Sequence, residues 1–211
     1  MAERDELTPA LTRTWNKRLA DQGFRRVGRR DLQRLSNGIV HLFNFQVSAW
    51  GSRDFCVNVA AFTLCGNDLP VLQPGFRLRH ETGGEMWLPS RSRDEATESV
   101  EHAWNAAETQ ALPWFERNTT LEGHLRVLRD GTRADHHRHL QTGVVEAMLG
   151  NRDEAIGDLV AASRLYAEDG RSWCPAYIAR AETLIDALTK GEEDALLEQW
   201  RLAHLTVHRI K

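Results

Sequence analysis

Asn37-Gly38 is the feature that most limits how this chain can fold, because apolar and polar residues alternate on both sides of it. Both residues tolerate the positive φ of a two-residue type I′ turn, so the pattern predicts a hairpin with strands over 31–36 and 39–48. A third strand is expected over 55–63, after a turn at Gly51-Ser52. Three consecutive strands joined by short links make an antiparallel meander. Such a sheet buries one face under helices and leaves the other to solvent or a ligand.

Helical spacing flanks the meander. Thr8 reads as an N-cap and Pro9 as the first helical residue, with Leu7 as a staple, Leu11, Trp15 and Leu19 forming a stripe and Gly23 closing the helix. Between 66 and 93, Pro70, Pro74-Gly75, Gly83-Gly84 and Pro89 punctuate two short runs, 76–79 and 85–88, that would each add a strand. From Asp94 the stripe Ala96, Val100, Ala103, Trp104, Ala107 and Ala111 returns to a helical period. Pro113 is expected to end or kink that helix near Ala111. Thr119 and Glu122 fit a capping box for a short helix stopping at Asp130-Gly131.

Residues 131–133 mark the expected boundary, since no strand pattern lies beyond them. Four helices are expected over 134–149, 153–168, 175–189 and 192–208, and their short links make them antiparallel neighbours. The fold class is therefore α+β: an antiparallel β-meander packed by helices over 1–130, then an all-α region of helical hairpins over 131–211.

Two stretches resemble known families. LGNRDEAIGDLVAAS (149–163) is similar to a tetratricopeptide repeat, with Gly150 at the inter-helix turn and Gly143, Ala155 and Ala162 at its small positions; Ala167 stands where the closing proline would be. Gly191 and Asp194-Ala195 echo Gly150 and Glu154-Ala155 some 40 residues later, which makes a degenerate pair. Stacked hairpins of this kind imply protein contact, or alternatively a helical cap on the first domain. Residues 10–128 resemble the bacterial family called domain of unknown function 4304. Gly23-Phe24, a basic segment with Gly28, FQVS (45–48) and FCVNVAAF (55–62) carry that resemblance. It implies an α+β domain with no established reaction, among small accessory proteins of which some are immunity-like.

Charge and motifs narrow the function classes. With 27 Lys+Arg against 30 Asp+Glu, the net charge of −3 excludes a uniformly basic surface built for nucleic acid or anionic lipid. Locally the signs separate: residues 13–34 hold 8 basic against 2 acidic groups, and residues 141–198 hold 5 against 12. Cys56, Cys65 and Cys174 lack a CxxC spacing, so neither a disulfide framework nor a zinc ribbon is expected. The charged first residues show no apolar leader, no run suits a membrane span, and the expected location is the cytoplasm. GxSxG, GxxxxGK[ST] and GxGxxG are all absent, so no catalytic residue and no cofactor is assigned.

Three groups of residues could still carry chemistry. Asn44, Gln46 and Ser48 share a strand face, and Asn58 is the polar interruption of the next strand; together they would bind a ligand or peptide backbone, or simply hydrogen-bond one another. Arg25, Arg26, Arg29 and Arg30 suit phosphate, nucleic acid or an acidic protein, unless they pair with the acidic helix 94–108. Asp135, His136 and His139 have the three- and four-residue spacings of a weak metal site, with His124 as the nearest other ligand, although Asp135 reads equally as a helix cap.

These readings rank a non-catalytic protein-binding function first, with Trp50 at the sheet rim as anchor and the acidic 141–198 stretch meeting a basic partner, as an immunity-type protein would. A small-ligand or nucleic-acid module and a metal-dependent hydrolase at His136/His139 are the alternatives.

Overall fold

The computed structural model describes residues 5–66, 74–130 and 135–207. Its elements run α1 (Leu7–Ala20), β1 (Arg25–Arg26), β2 (Asp31–Ser36), β3 (Ile39–Val47), β4 (Asp54–Thr63), β5 (Gly75–Arg77), β6 (Leu88–Pro89), α2 (Arg93–Arg117), α3 (Leu121–Arg129), α4 (His136–Met148), α5 (Arg152–Asp169), α6 (Cys174–Lys190) and α7 (Glu193–Val207). The fold is α+β: an antiparallel sheet followed by a run of helices. The described residues divide into two compact units. One holds residues 5–36, Val40–Ala61 and Gly75–Glu116; the other holds Asn37–Ile39, 62–66, Pro74 and 117–207.

The expected hairpin is present, and Asn37 and Gly38 take φ of 48° and 82°. The sheet order is β1-β2-β3-β4-β5, with β6 also on β4. The register places Asn58 opposite Arg77 and Phe55 opposite Leu88. The short β1, which pairs Arg25 with Gln33 and Arg26 with Leu32, has no hydrophobic pattern to announce it. It is an edge strand, and edge strands favour charge.

One face of the sheet carries the aromatic core of the first unit. Trp15 of α1 is fully buried and meets Phe43, Phe45 and Trp104 edge-on at 4.8–5.2 Å, while its indole Nε1 donates to the Val100 carbonyl at 3.1 Å. Edge-to-face contacts of this kind stabilise beyond simple area burial.

Three local expectations need correction. Helix α1 begins at Leu7 rather than after Thr8, and Asp5 does the capping work by accepting from the Thr8 N–H at 3.3 Å and the Thr8 hydroxyl at 2.7 Å. Helix α2 does not end near Ala111 but continues past Pro113 to Arg117. An internal proline costs roughly 3 kcal/mol, but continuing the helix buries Trp114 and Phe115, each worth roughly 1.5–3 kcal/mol and packed against Phe76, Phe24, His41 and Phe43. The cap of α3 is Thr120, not Thr119; its side chain accepts from the Gly123 N–H at 3.1 Å.

The four expected C-terminal helices are present as α4 to α7, and each packs against the next in sequence; residues 131–133 lie outside the described residues. Gly143 of α4 lets α5 approach closely, since a Cβ there would lie 2.7 Å from Leu159 Cγ and 3.1 Å from the Ala155 carbonyl oxygen. Leu140, Val144, Ala155, Leu159, Ala162, Tyr166, Tyr177, Ala181 and Leu184 form its core. No helix of the described residues is long and apolar enough to cross a membrane.

Candidate functional site

The sheet face turned away from the aromatic core carries the polar residues. Alternation along β3 puts Asn44 and Gln46 on that face, and β4 sets Asn58 beside them. Asn58 Nδ2 donates to Asn44 Oδ1 at 2.9 Å and to Gln46 Oε1 at 3.0 Å. Asn44 Nδ2 donates in turn to Asp31 Oδ1 at 2.7 Å. From the other side, Arg77 Nε donates to Asn58 Oδ1 at 3.1 Å, and the same guanidinium pairs with Glu85. The result is a polar ladder from Asp31 through Asn44 and Asn58 to Arg77 and Glu85. Asn58 is buried, and each of these bonds offsets the cost of taking its amide out of water. The reading in which these groups bond one another therefore describes Asn44, Gln46 and Asn58.

Gln46 and Ser48 lie at the open end of that ladder. With Ala49, Trp50, Ser52, Asp54, Arg77 and Trp87 they line a cleft of about 560 Å³ within the first unit. Trp50 is 95% exposed, and Trp87 is 36% exposed with the Arg77 guanidinium 5.2 Å from its ring centre. The loop that presents Trp50 is held by its own hydroxyls: Ser48 Oγ accepts from the Trp50 N–H at 3.2 Å, and Ser52 Oγ from the Asp54 N–H at 3.3 Å. Gly51 at φ 76° and Arg53 at φ 55° complete the turn, and Arg53 is fixed by the Ser90 hydroxyl donating to its carbonyl at 2.5 Å. A lone glycine permits such a turn freely, whereas an arginine there is strained and must be held. The loop is thus held by the chain's own groups.

The four arginines do not join this cleft. Arg25 and Arg26 form β1, where Arg26 donates to Asn16 Oδ1 at 3.1 Å and to the Arg29 carbonyl at 3.0 Å. Arg29 and Arg30 both approach Asp5 Oδ2 at 3.4 Å, not the acidic helix 94–108. Burial would raise the Asp5 carboxyl, but the hydrogen bonds from Thr8 and the Arg30 charge outweigh it and hold the group below its usual range. Ion pairs of α2 include Glu101 with Arg18 at 2.9 Å and Glu116 with Arg34 at 2.9 Å.

The histidine run does not converge on one point. Asp135 caps α4 by accepting from the Arg138 N–H at 2.7 Å. His136 Nε2 lies 3.5 Å from Asp169, and His139 Nδ1 lies 2.7 Å from Asp158. His124 is buried against Asn118 at 2.8 Å. Among the described residues, no three His, Cys, Asp or Glu side chains gather as a metal ion needs. His137, unremarked in the sequence, is the best-anchored of the run: it stacks on Trp173 and lies 2.8 Å from the Tyr166 hydroxyl.

Sequence reasoning missed Trp87 and Arg77 at the cleft. Their only advance signals were the two short runs 76–79 and 85–88, which placed strands nearby without saying which strand each would join. A family model described as "Domain of unknown function (DUF4304)" matches residues 15–117, the stretch that holds the sheet and every residue lining the cleft. No curated protein and no solved structure matches the chain.

Proposed function

Taking as premise that residues 15–117 carry the DUF4304 domain, we propose that the chain is a non-catalytic protein-binding protein and that the Trp50 cleft is its docking face. The carrying observation is Trp50 itself. An indole left 95% exposed on a loop tied down by two serine hydroxyls has the character of an interface anchor.

The proposed action is immunity-type: a partner protein is held and neutralised. The helical unit supports this with its excess of acid over base in residues 141–198, which suits a partner of basic surface, and with its resemblance to stacked tetratricopeptide hairpins. The proposed setting is the bacterial cytoplasm, where Cys56, Cys65 and Cys174 remain the buried free thiols seen here. Burial pushes the Cys65 thiol up to about 11, well away from nucleophilic use.

Trp50→Ala tests the reading. Loss of a central Trp anchor typically costs 2 kcal/mol or more, about a thirtyfold weaker Kd. Partner capture from the native host should fall accordingly, with the fold unchanged by circular dichroism. Equal capture by wild type and variant would overturn the proposal.

A further inference from the structure

A second cleft in the first unit, about 360 Å³ in volume, shares none of the residues that line the Trp50 cleft. Arg29 and Arg30 enter it from the segment before β2 and Arg53 from the turn before β4, while Asp5 and Glu6 stand at the start of α1. Three arginines against two acids leave it with surplus positive charge.

The pairing inside this cleft is loose. Asp5 is committed to the first turn of α1, where its oxygens accept from the Thr8 N–H and the Thr8 hydroxyl. From that position Asp5 Oδ2 lies 3.4 Å from both Arg29 Nε and Arg30 Nη2. A full charge-assisted bond closes to about 2.7–2.9 Å. Arg30 is the better enclosed arginine, with its side chain 29% exposed against 73% for Arg29. Its Nε–H is buried and has no acceptor among the described residues. A buried donor on a charged group is costly to leave unmatched, and such atoms are few in folded proteins. On the wall of a basic cleft, it calls for an acceptor supplied from outside the chain.

Charge selects that acceptor. A carboxylate would bring the single negative charge that Asp5 already supplies, and so would gain little over the resident group. A phosphoryl group carries about −1.5 to −2 near neutral pH and three strong acceptor oxygens, so it can engage forked guanidinium donors arriving from separate segments. A continuous nucleic-acid backbone would carry further phosphates past Asp5 and Glu6, whose charges repel them. At about 30 Å³ for each water-sized group, the cleft has room for roughly ten, more than a bare phosphate fills. We propose that this cleft binds the phosphoryl group of a small phosphomonoester, with Arg30 as central donor, Arg29 and Arg53 at its flanks, and Asp5 as the resident anion displaced from the arginines.

The test titrates the full chain, at fixed pH and ionic strength, with glycerol 3-phosphate, inorganic phosphate, acetate and a single-stranded oligoribonucleotide in separate experiments. Binding is read by calorimetry and by amide chemical shifts. The expected result is saturable binding of glycerol 3-phosphate, tighter than inorganic phosphate, with shifts centred on residues 5–7, 29–30 and 53 and no matching response to acetate. Arg30→Gln should weaken glycerol 3-phosphate binding about tenfold or more, as loss of a hydrogen bond to a charged group does. Asp5→Asn keeps an oxygen for Thr8 but removes the competing charge, so it should tighten binding severalfold. That gain has no source in misfolding, and circular dichroism checks the fold of both variants. Absence of saturable binding by either phosphate, an equal response to acetate, or unchanged or weaker affinity in Asp5→Asn would overturn the proposal. Tighter binding of inorganic phosphate or of the oligoribonucleotide at these residues would overturn it as well. Partner capture through Trp50 is decided separately, since the two clefts have no residue in common.

Discussion

Two tryptophans show how position decides what a residue does. Trp15 is enclosed by three aromatic rings and hydrogen-bonded to Val100, whereas Trp50 touches almost nothing. Trp15→Ala should cost about 3–5 kcal/mol, and Trp50→Ala should stay within about 0.5 kcal/mol of wild type, both measured by urea denaturation. Two helical glycines make a similar pair. A Cβ on Gly123 would lie 2.3 Å from the Arg117 carbonyl oxygen, while one on Gly157 meets nothing within 4 Å. Alanine ordinarily stabilises a helix interior by about 1 kcal/mol over glycine. Gly157→Ala should therefore raise the thermal midpoint, and Gly123→Ala should lower it, with a loss of about 1–3 kcal/mol.

At the scale of elements, helix ends and strand faces carry the argument. Thr120 and Asp135 each satisfy an N–H of the first turn, of α3 and α4 respectively. Replacing either with alanine should cost about 1 kcal/mol, visible in chemical denaturation. For Asp135 that loss should be the same in chelator-treated protein, as a capping role requires. The polar ladder across β2, β3 and β4 is the sheet counterpart. Asn58 serves Asn44, Gln46 and Arg77 at once, so its side chain ties β3, β4 and β5 together along that face.

At the scale of the whole molecule, the two units depend on different chemistry. The first rests on aromatic packing, and the second adds a titratable cluster at one end of its helices. His136 and His137 stack on Trp173, which lies under Arg171, itself paired with Asp169. Burial, together with the neighbouring His136 and Arg171 and against the pull of Asp135 and Asp169, depresses the His137 pKa below its ordinary 6.5. A base whose folded pKa is depressed contributes stability that is complete above 6.5 and lost as pH falls through the folded value. The helical unit should accordingly lose stability on acidification below 6.5, and His137→Phe should flatten that limb in far-UV thermal melts across pH.

The hairpin, the third strand, the α1 stripe and the four C-terminal helices were all legible from the chain, because periodicity and turn residues act over a few neighbouring positions. The same local logic placed Gln46, Ser48 and Asn58 together and put Trp50 at a rim. Local rules failed at Pro113, where burial of Trp114 and Phe115 outweighs a lost backbone bond, and at Arg29 and Arg30, which find Asp5 rather than the longer acidic helix. The sequence by itself therefore determined the longer elements, their order and the polar character of one sheet face, but not the short edge strand β1. Only the tertiary structure decided which partners those polar groups take. Hydrogen-bond partners are chosen by register and distance between strands far apart in the chain, as Arg77 is from Gln46 and Asn58, and no pattern within a single strand encodes that choice.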